Sequence, residues 1–477
     1  MIKNNIIRLL DNKISLFVFA FLLMASYLFP AKDLITGSMD ASETWKVVTT
    51  FFSHDPYSSY VMYKGFLAFI PNIALYELAI FFDVDLFFFV KIFNCISFAY
   101  ITTIGIPYFF AYIFGNKIKY YKIYILTLIL YFGIRPNFSF ISVDFPSIVL
   151  MMLTMNSAIK IKISEKKLPI FYYIYAGIIF SMGLLLSGQY IPAVIFTLAF
   201  LFFSEVIPVI RQKKINFRSF VILACFILGF FVINVSNNYF IETRVQPVRE
   251  AGEWLPTAND WFKFALTNNM LFSKLSSVMI PDNRGKAILI SENADMQAIS
   301  GGGGAYNYDD YAMLVLKYPI DFIVRWANRL FLGISIDSDK LKFIYLFISY
   351  TLLFLSLLTI KKKCEKLKDF LDLRIFLILA MATPSLIPCF IHVEMRYFMS
   401  IQILIAGIAL LSDTLWKSLL NFKDFVSLII VSRGKIISKM RINYLFISYI
   451  IFVTLCFMLL ATQYELLGPI PNILFKF

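Results

Sequence analysis

The chain has 477 residues, of which 60% are hydrophobic, 18% aromatic and only 16% charged, and its mean hydropathy is +0.76. No soluble fold of this length needs that much apolar surface, and apolar runs of roughly 20 residues, each able to cross ~30 Å of hydrocarbon, recur from end to end. The net charge of +14 does not point to nucleic acid, because Lys and Arg fall in short loops between apolar runs, as the positive-inside rule requires.

The expected fold is all-α: one polytopic membrane domain over residues 1–477. The first apolar run, from Ile14 to Pro30, is followed by Lys32 and Asp33 and lacks a small-x-small cleavage site. It reads as a retained span entered from a cytoplasmic N-terminus, with Lys3, Arg8 and Lys13 before it. Further candidate spans lie at 88–114, 120–137, 145–160, 168–187, 190–209, 218–237, 342–360, 373–391, 397–414 and 443–462, about eleven in all. With that number every basic cluster falls inside: Lys117 to Lys122, Lys160 to Lys167, Arg211 to Arg218, Lys361 to Lys368 and Lys417 to Arg441.

The segment from Tyr60 to Phe82 is also apolar, but if it crossed, every later basic cluster would flip outside. It is therefore expected to lie at the outer face or dip into it, as Lys64, Pro71, Asn72 and Glu77 suit. Two external regions follow, 31–87 with juxtamembrane helices and 238–341 as a small cap. The cap ends in YAMLVLKYPIDFIVRWANRLFLGI, where Lys317, Asp321, Arg325 and Arg329 interrupt apolar residues. That pattern predicts an amphipathic helix broken at Pro319 on the membrane surface. Of the five cysteines, Cys95, Cys225, Cys389 and Cys456 lie in apolar runs and Cys364 in a basic loop. No disulfide framework is visible, and no pair is close enough in sequence for thiolate metal ligation.

The polar outliers collect on the external face. GSMDASETWKVV carries Asp40 and Glu43; with a helix from about Ser42, Asp40 sits where a carboxylate suits the helix dipole, a role a plain solvated cap also fills. RPNFSFISVDFPS ends one span with Arg135 and starts the next with Asp144 before Pro146, although Asp144 reads equally as a helix N-cap. PCFIHVEMRYFMS joins two spans through His392, Glu394 and Arg396. A guanidinium at the bilayer rim needs an anion: Glu394 within the chain, or a phosphate gripped by its planar fork. Carboxylates that take a proton, near cations that receive a phosphate, suit displacement at a lipid-linked phosphate. GGGG at 301–304 lacks the Lys-Ser/Thr of a phosphate-cradling loop and reads as a flexible lid. The only histidines are His54 and His392. With Asp55 they leave a divalent cation open, but nothing fixes their spacing, so no metal or other cofactor is assigned.

These segments together resemble the type C (GT-C) membrane glycosyltransferases, which take sugars from polyprenyl phosphate carriers and include protein O-mannosyltransferases and bacterial aminoarabinose transferases. The likeness runs through Met39 to Glu43, HDPYSSYVMYKGFLAFIP, SVDFPSIVLMML, AGIIFSMGLLLSG, LKYPIDFIVRW and VEMRYFMSIQIL. It departs in the first loop, which has Asp40-x-x-Glu43 in place of an adjacent Asp-Glu pair. Size and composition are also similar to phage- or island-encoded glucosyltransferases that decorate O-antigen. The resemblance implies a polyprenyl-phosphate-linked (undecaprenyl-type) sugar donor in a bacterial inner membrane and a periplasmic glycan or lipid-linked acceptor. It implies that Asp40 or Glu43 is the base, with Asp144 nearby, and that Arg396, with Arg135 or Arg244, binds the donor phosphate. His54, Asp55, His392, Glu394 and Tyr397 take supporting positions. Two other functions fit less of the sequence. An O-antigen or capsule polymerase would use Arg244, Arg249 and Arg284 of the long loop. A lipid-linked glycan transporter would need charged residues in mid-span, and few are present.

Overall fold

The computed structural model describes residues 12–35, 39–52, 69–138, 141, 144–164, 168–186, 188–206, 217–244, 308–334, 342–364, 372–390, 395–412 and 447–460. The described residues are almost entirely helical and contain no strand. Four helices are long and apolar enough to cross a membrane: Phe88–Phe114, Phe145–Ile163, Gly188–Glu205 and Ile344–Lys361. The other apolar helices are shorter.

Helix α1 (Lys13–Leu28) starts where the Asn12 side chain accepts the Ile14 N–H at 2.9 Å, which satisfies one of the orphaned donors of a helix start. Helices α2 (Met39–Thr50) and α3 (Ile70–Phe81) have 12 residues each. Within the 60–82 segment, residues 60–68 lie outside the described residues.

Helix α4 (Phe88–Phe114) widens into a π turn over Ile101–Gly105. Pro107 accounts for it: its ring brings no N–H and crowds the carbonyl four residues back, so the hydrogen-bond register slips. The Thr102 and Thr103 hydroxyls donate to the Phe98 and Ala99 carbonyls at 2.9 and 2.7 Å. Gly115, at φ +70°, stops the helix in a left-handed conformation that glycine adopts without strain.

The remaining helices are α5 (Tyr120–Ile134), α6 (Asp144–Ile163), α7 (Ile170–Leu186), α8 (Ile191–Leu201, continued by a π turn at Phe202–Val206) and α9 (Phe217–Arg244). After these come α10 (Tyr308–Lys317), α11 (Pro319–Ile334), α12 (Lys342–Cys364), α13 (Arg374–Leu386), α14 (Met399–Leu411) and α15 (Ile447–Leu460). Met24, Phe98, Met152, Phe180, Leu377 and Ile403 belong to one buried core shared by α1, α4, α6, α7, α13 and α14.

Basic side chains dock on helix C-termini, where the dipole and unpaired carbonyls favour a cation. Lys122 Nζ donates to the Leu411 and Ser412 carbonyls at 3.2 and 3.1 Å. Arg374 Nη1 reaches the Ile113 carbonyl at 3.1 Å, and Lys162 Nζ the Ser204 carbonyl at 3.2 Å. Lys162 also pairs with Glu205 at 3.3 Å. These contacts bring the starts of α5 and α13 together with the ends of α4, α6, α8 and α14, and define a basic end of the bundle.

Helices α7 and α9 run parallel in unusually close contact. A Cβ on Gly177 would strike the Phe226 carbonyl oxygen, and one on Gly229 would strike the Ile174 carbonyl oxygen. Asn234 Nδ2 then bonds Ser181 Oγ at 2.7 Å one turn further along. Small residues that let backbones touch, with a polar clamp beside them, are how helices associate where no hydrophobic force drives them.

Candidate functional site

The end opposite the basic one gathers the segments that carried the sequence-level candidates. Helix α2 lies across it. Val47 and Val48 pack with Phe69, Ile73, Leu150 and Ile179, and the Trp45 ring meets Tyr76 and Phe87 at 5.3 and 4.7 Å. Leu150 is in the second turn of α6, so the first external segment sits over the end of the helix that Asp144 opens. The Ile141 N–H donates to the Leu34 carbonyl at 2.9 Å and Asn94 Nδ2 to the Phe138 carbonyl at 3.2 Å. The first loop and the RPNFSFISVD hairpin are thereby tied to each other and to the start of α4. Lys91, 6% exposed, caps the chain after α1 by donating to the Ala31 carbonyl at 2.7 Å.

By backbone, Asp40 falls in the first turn of α2 and Asp144 at the first residue of α6. Glu43 is half-buried on α2 and makes no ion pair among the described residues. Arg135 starts a 3-10 turn after α5. Its guanidinium carbon lies 5.0, 5.2 and 5.5 Å from the ring centres of Tyr27, Tyr131 and Phe132, and Nη1 donates to the Tyr131 hydroxyl at 3.5 Å. Among the described residues no carboxylate pairs with it. Aromatic faces hold a guanidinium by cation–π attraction.

The third segment is the joint between α13 and α14, whose described part is two 3-10 turns, Pro388–Phe390 and Met395–Phe398. The second turn holds the Arg396 backbone and Tyr397, whose carbonyl accepts from Gln189 Nε2 at 3.1 Å and from Ser385 Oγ at 3.0 Å. Gln189 follows α7 directly, and Ile179 and Met182 of α7 pack beneath α2. Helix α7 therefore carries both the first-loop side and the joint side of the site. Arg135 stands apart from the joint, on the α1–α5 side.

Helix α11 closes over the joint. Trp326 Nε1 donates to the Leu386 carbonyl at 3.1 Å, Arg329 Nη1 to the Cys389 carbonyl at 3.0 Å, and Gln402 Nε2 to the Gly333 carbonyl at 2.9 Å. A Cβ on Gly333 would fall on the buried Phe398 ring. The expected amphipathic helix exists, split at Tyr318, but its charged side is turned inward. Arg325 and Arg329 are 5% and 3% exposed, while Leu316, Ile320 and Ile323 point outward at 81%, 77% and 64%. Arg325 Nε pairs with Asp321 at 2.9 Å. Burial first, and the neighbouring Arg325 second, bring Arg329 down to about 10, still protonated at neutral pH. Sequence reasoning missed that these arginines are buried in the site wall, although the four-residue spacing of Asp321, Arg325 and Arg329 marks one helix face.

Arg244 ends α9. Because α9 is parallel to α7, it ends at this same end, and its 28 residues make about 42 Å, longer than a bilayer core is thick. His54, Asp55, His392 and Glu394 lie outside the described residues. Among the described residues no group of three His, Cys, Asp or Glu side chains gathers in a metal-binding arrangement. No protein-family model matches the chain, and no curated protein does.

Proposed function

We propose that this chain is an integral-membrane glycosyltransferase of the type C kind, moving a single sugar from a polyprenyl-phosphate donor to a cell-surface glycan at the periplasmic face of a bacterial inner membrane. The four long apolar helices and the shorter ones other than α3 then supply about eleven spans, with the basic end in the cytoplasm. One observation carries this reading: the three segments bearing carboxylates and arginines, remote in sequence, lie at the end of the bundle opposite its basic end, the first two tied to each other and the joint linked to them through α7.

In the proposed reaction the acceptor hydroxyl attacks the anomeric carbon while Glu43 or Asp40 takes its proton. The bond from that carbon to the phosphate oxygen breaks and the polyprenyl phosphate departs with the electron pair. Arg396, together with Arg135 or Arg244, meets the charge that develops on the phosphate. A single in-line displacement inverts the anomeric configuration and needs neither nucleotide nor metal. The Arg135 guanidinium is held on aromatic faces with no carboxylate partner among the described residues; because it stands apart from the joint, Arg244 is the better placed second cation.

Mass spectrometry of surface polysaccharide from cells with and without the gene tests the assignment. A mass increase of one hexose per repeat is expected. Loss of long chains without it would instead mark a polymerase, and no change would contradict both.

A further inference from the structure

A second polar feature lies near the basic end, away from the three loops. Helix α6 packs against both the second half of α4 and α7, so those two helices form the walls of a lateral groove with α6 as its floor. The floor carries Asn156, Ser157 and Lys160, which share one helical face. The α4 wall presents Tyr100 and Tyr108, and the α7 wall Tyr172 and Tyr175. The hydroxyl of Tyr172 bonds Ser157, its ring stands 5.7 Å from that of Tyr175, and the Lys160 ammonium sits 4.5 Å from the Tyr172 ring centre. Tyr108 and Tyr175 are 36% and 40% exposed to the side of the bundle, and Lys160 is exposed at the mouth. Deeper in, the Asn156 amide lies beside the Tyr100 hydroxyl; its Nδ2 donates to the Gly105 carbonyl of the π turn at 3.1 Å, and its Oδ1 is buried without a hydrogen-bond partner.

Lipid-facing polar side chains are costly inside a bilayer unless something satisfies them. A hydrocarbon tail alone does nothing for the Tyr108 and Tyr175 hydroxyls, an amide oxygen and an ammonium. The arrangement matches instead the interfacial part of a phospholipid. Lys160 is about 6 Å from Asn156 along the helix axis, close to the spacing between a headgroup phosphate and the glycerol ester region. From charge complementarity we infer that this groove binds one anionic glycerophospholipid from the leaflet at the basic end. Its phosphate lies on Lys160, and its ester carbonyls accept from the Tyr108 and Tyr175 hydroxyls. The Lys160 ammonium, already over the Tyr172 ring, marks the phosphate position. The groove is at the opposite end from the proposed transfer site and does not depend on the transfer reaction.

Native mass spectrometry of the full chain released from nanodiscs of mixed phosphatidylglycerol and phosphatidylcholine tests this. Wild-type protein should retain one phosphatidylglycerol in preference to phosphatidylcholine. Lys160→Gln should lower the retained fraction about five-fold, the weight of one basic side chain at a lipid surface. Tyr172→Phe keeps the ring under the ammonium and should lower it less. Size-exclusion elution identical to wild type confirms that each variant is folded. Equal retention of both lipids, or no change in Lys160→Gln, would overturn the inference. So would a dimer mass that Tyr108→Phe abolishes, since the hydroxyls would then face a second copy. Sugar transfer is not read out, so this inference and the enzymatic one fail separately.

Discussion

Replacing Gly177 with alanine tests the backbone-to-backbone contact between α7 and α9. The new methyl would strike the Phe226 carbonyl oxygen, with the Phe226 carbonyl carbon at 3.0 Å and the Phe230 nitrogen at 3.1 Å. All three atoms are backbone, so no rotamer change relieves the clash and α7 and α9 must part. A separation of ~1 Å forfeits up to half of the ~0.1–0.2 kcal/mol in each atom pair along the seam. Overpacking costs ~1–3 kcal/mol, and a backbone clash belongs at the top of that range. Alanine returns about 1 kcal/mol through helix propensity, which leaves a net loss of about 2 kcal/mol. For a chain of this size that lowers the melting temperature by about 2–4 °C, measured by thermal denaturation in detergent. Gly229→Ala should act alike. The double variant should lose less than the sum, because helices already parted admit the second methyl. Gly188→Ala, with nothing within 4 Å, is the control and should melt like wild type. A Gly177→Ala protein that melts at or above wild type would refute the packing argument.

Three further outcomes concern the proposed chemistry. Glu43→Gln or Asp40→Asn should lower sugar transfer by about 10²–10⁴-fold, the weight of a general base, with membrane content unchanged; full activity in both variants would remove the candidate bases. Arg396→Ala should raise KM for the lipid donor more than it lowers thermal stability, whereas unchanged kinetics with a lowered Tm would assign Arg396 to an ion pair with Glu394. Gly333→Ala should displace α11 from Phe398 and reduce transfer, read as loss of activity at unchanged expression; an active variant would show that α11 does not need its seat on the joint.

Much of the architecture was legible because a bilayer leaves a hydropathy signal in single residues. The run from Phe88 to Phe114 and the basic flanks at Lys122 and Lys160 could be placed without coordinates, as could Asp144 at a helix start. Three features were not legible. The π turn at Ile101–Gly105 depends on Pro107 acting across a turn, and a hydropathy window does not register it. The inward turn of Arg325 and Arg329 was hidden because an amphipathic pattern gives two faces and does not say which one meets the bundle. When the apolar face can enter lipid, the usual assignment of charged residues to water reverses. The aromatic seat of Arg135 needs Tyr27, more than a hundred positions earlier in the chain, and only the fold brings them together.

Cysteine accessibility tests most directly whether carboxylates and arginines act together from one outer face. Ser42, Phe390 and Asn116 are each exposed, the first two at the site end and Asn116 at the basic end. Each is replaced by cysteine in a background whose five native cysteines are changed to alanine. In intact spheroplasts a membrane-impermeant maleimide should label Ser42→Cys and Phe390→Cys, and should reach Asn116→Cys only after the membrane is opened. Labelling of Ser42→Cys and Phe390→Cys from opposite sides, or of Asn116→Cys from outside, would contradict it.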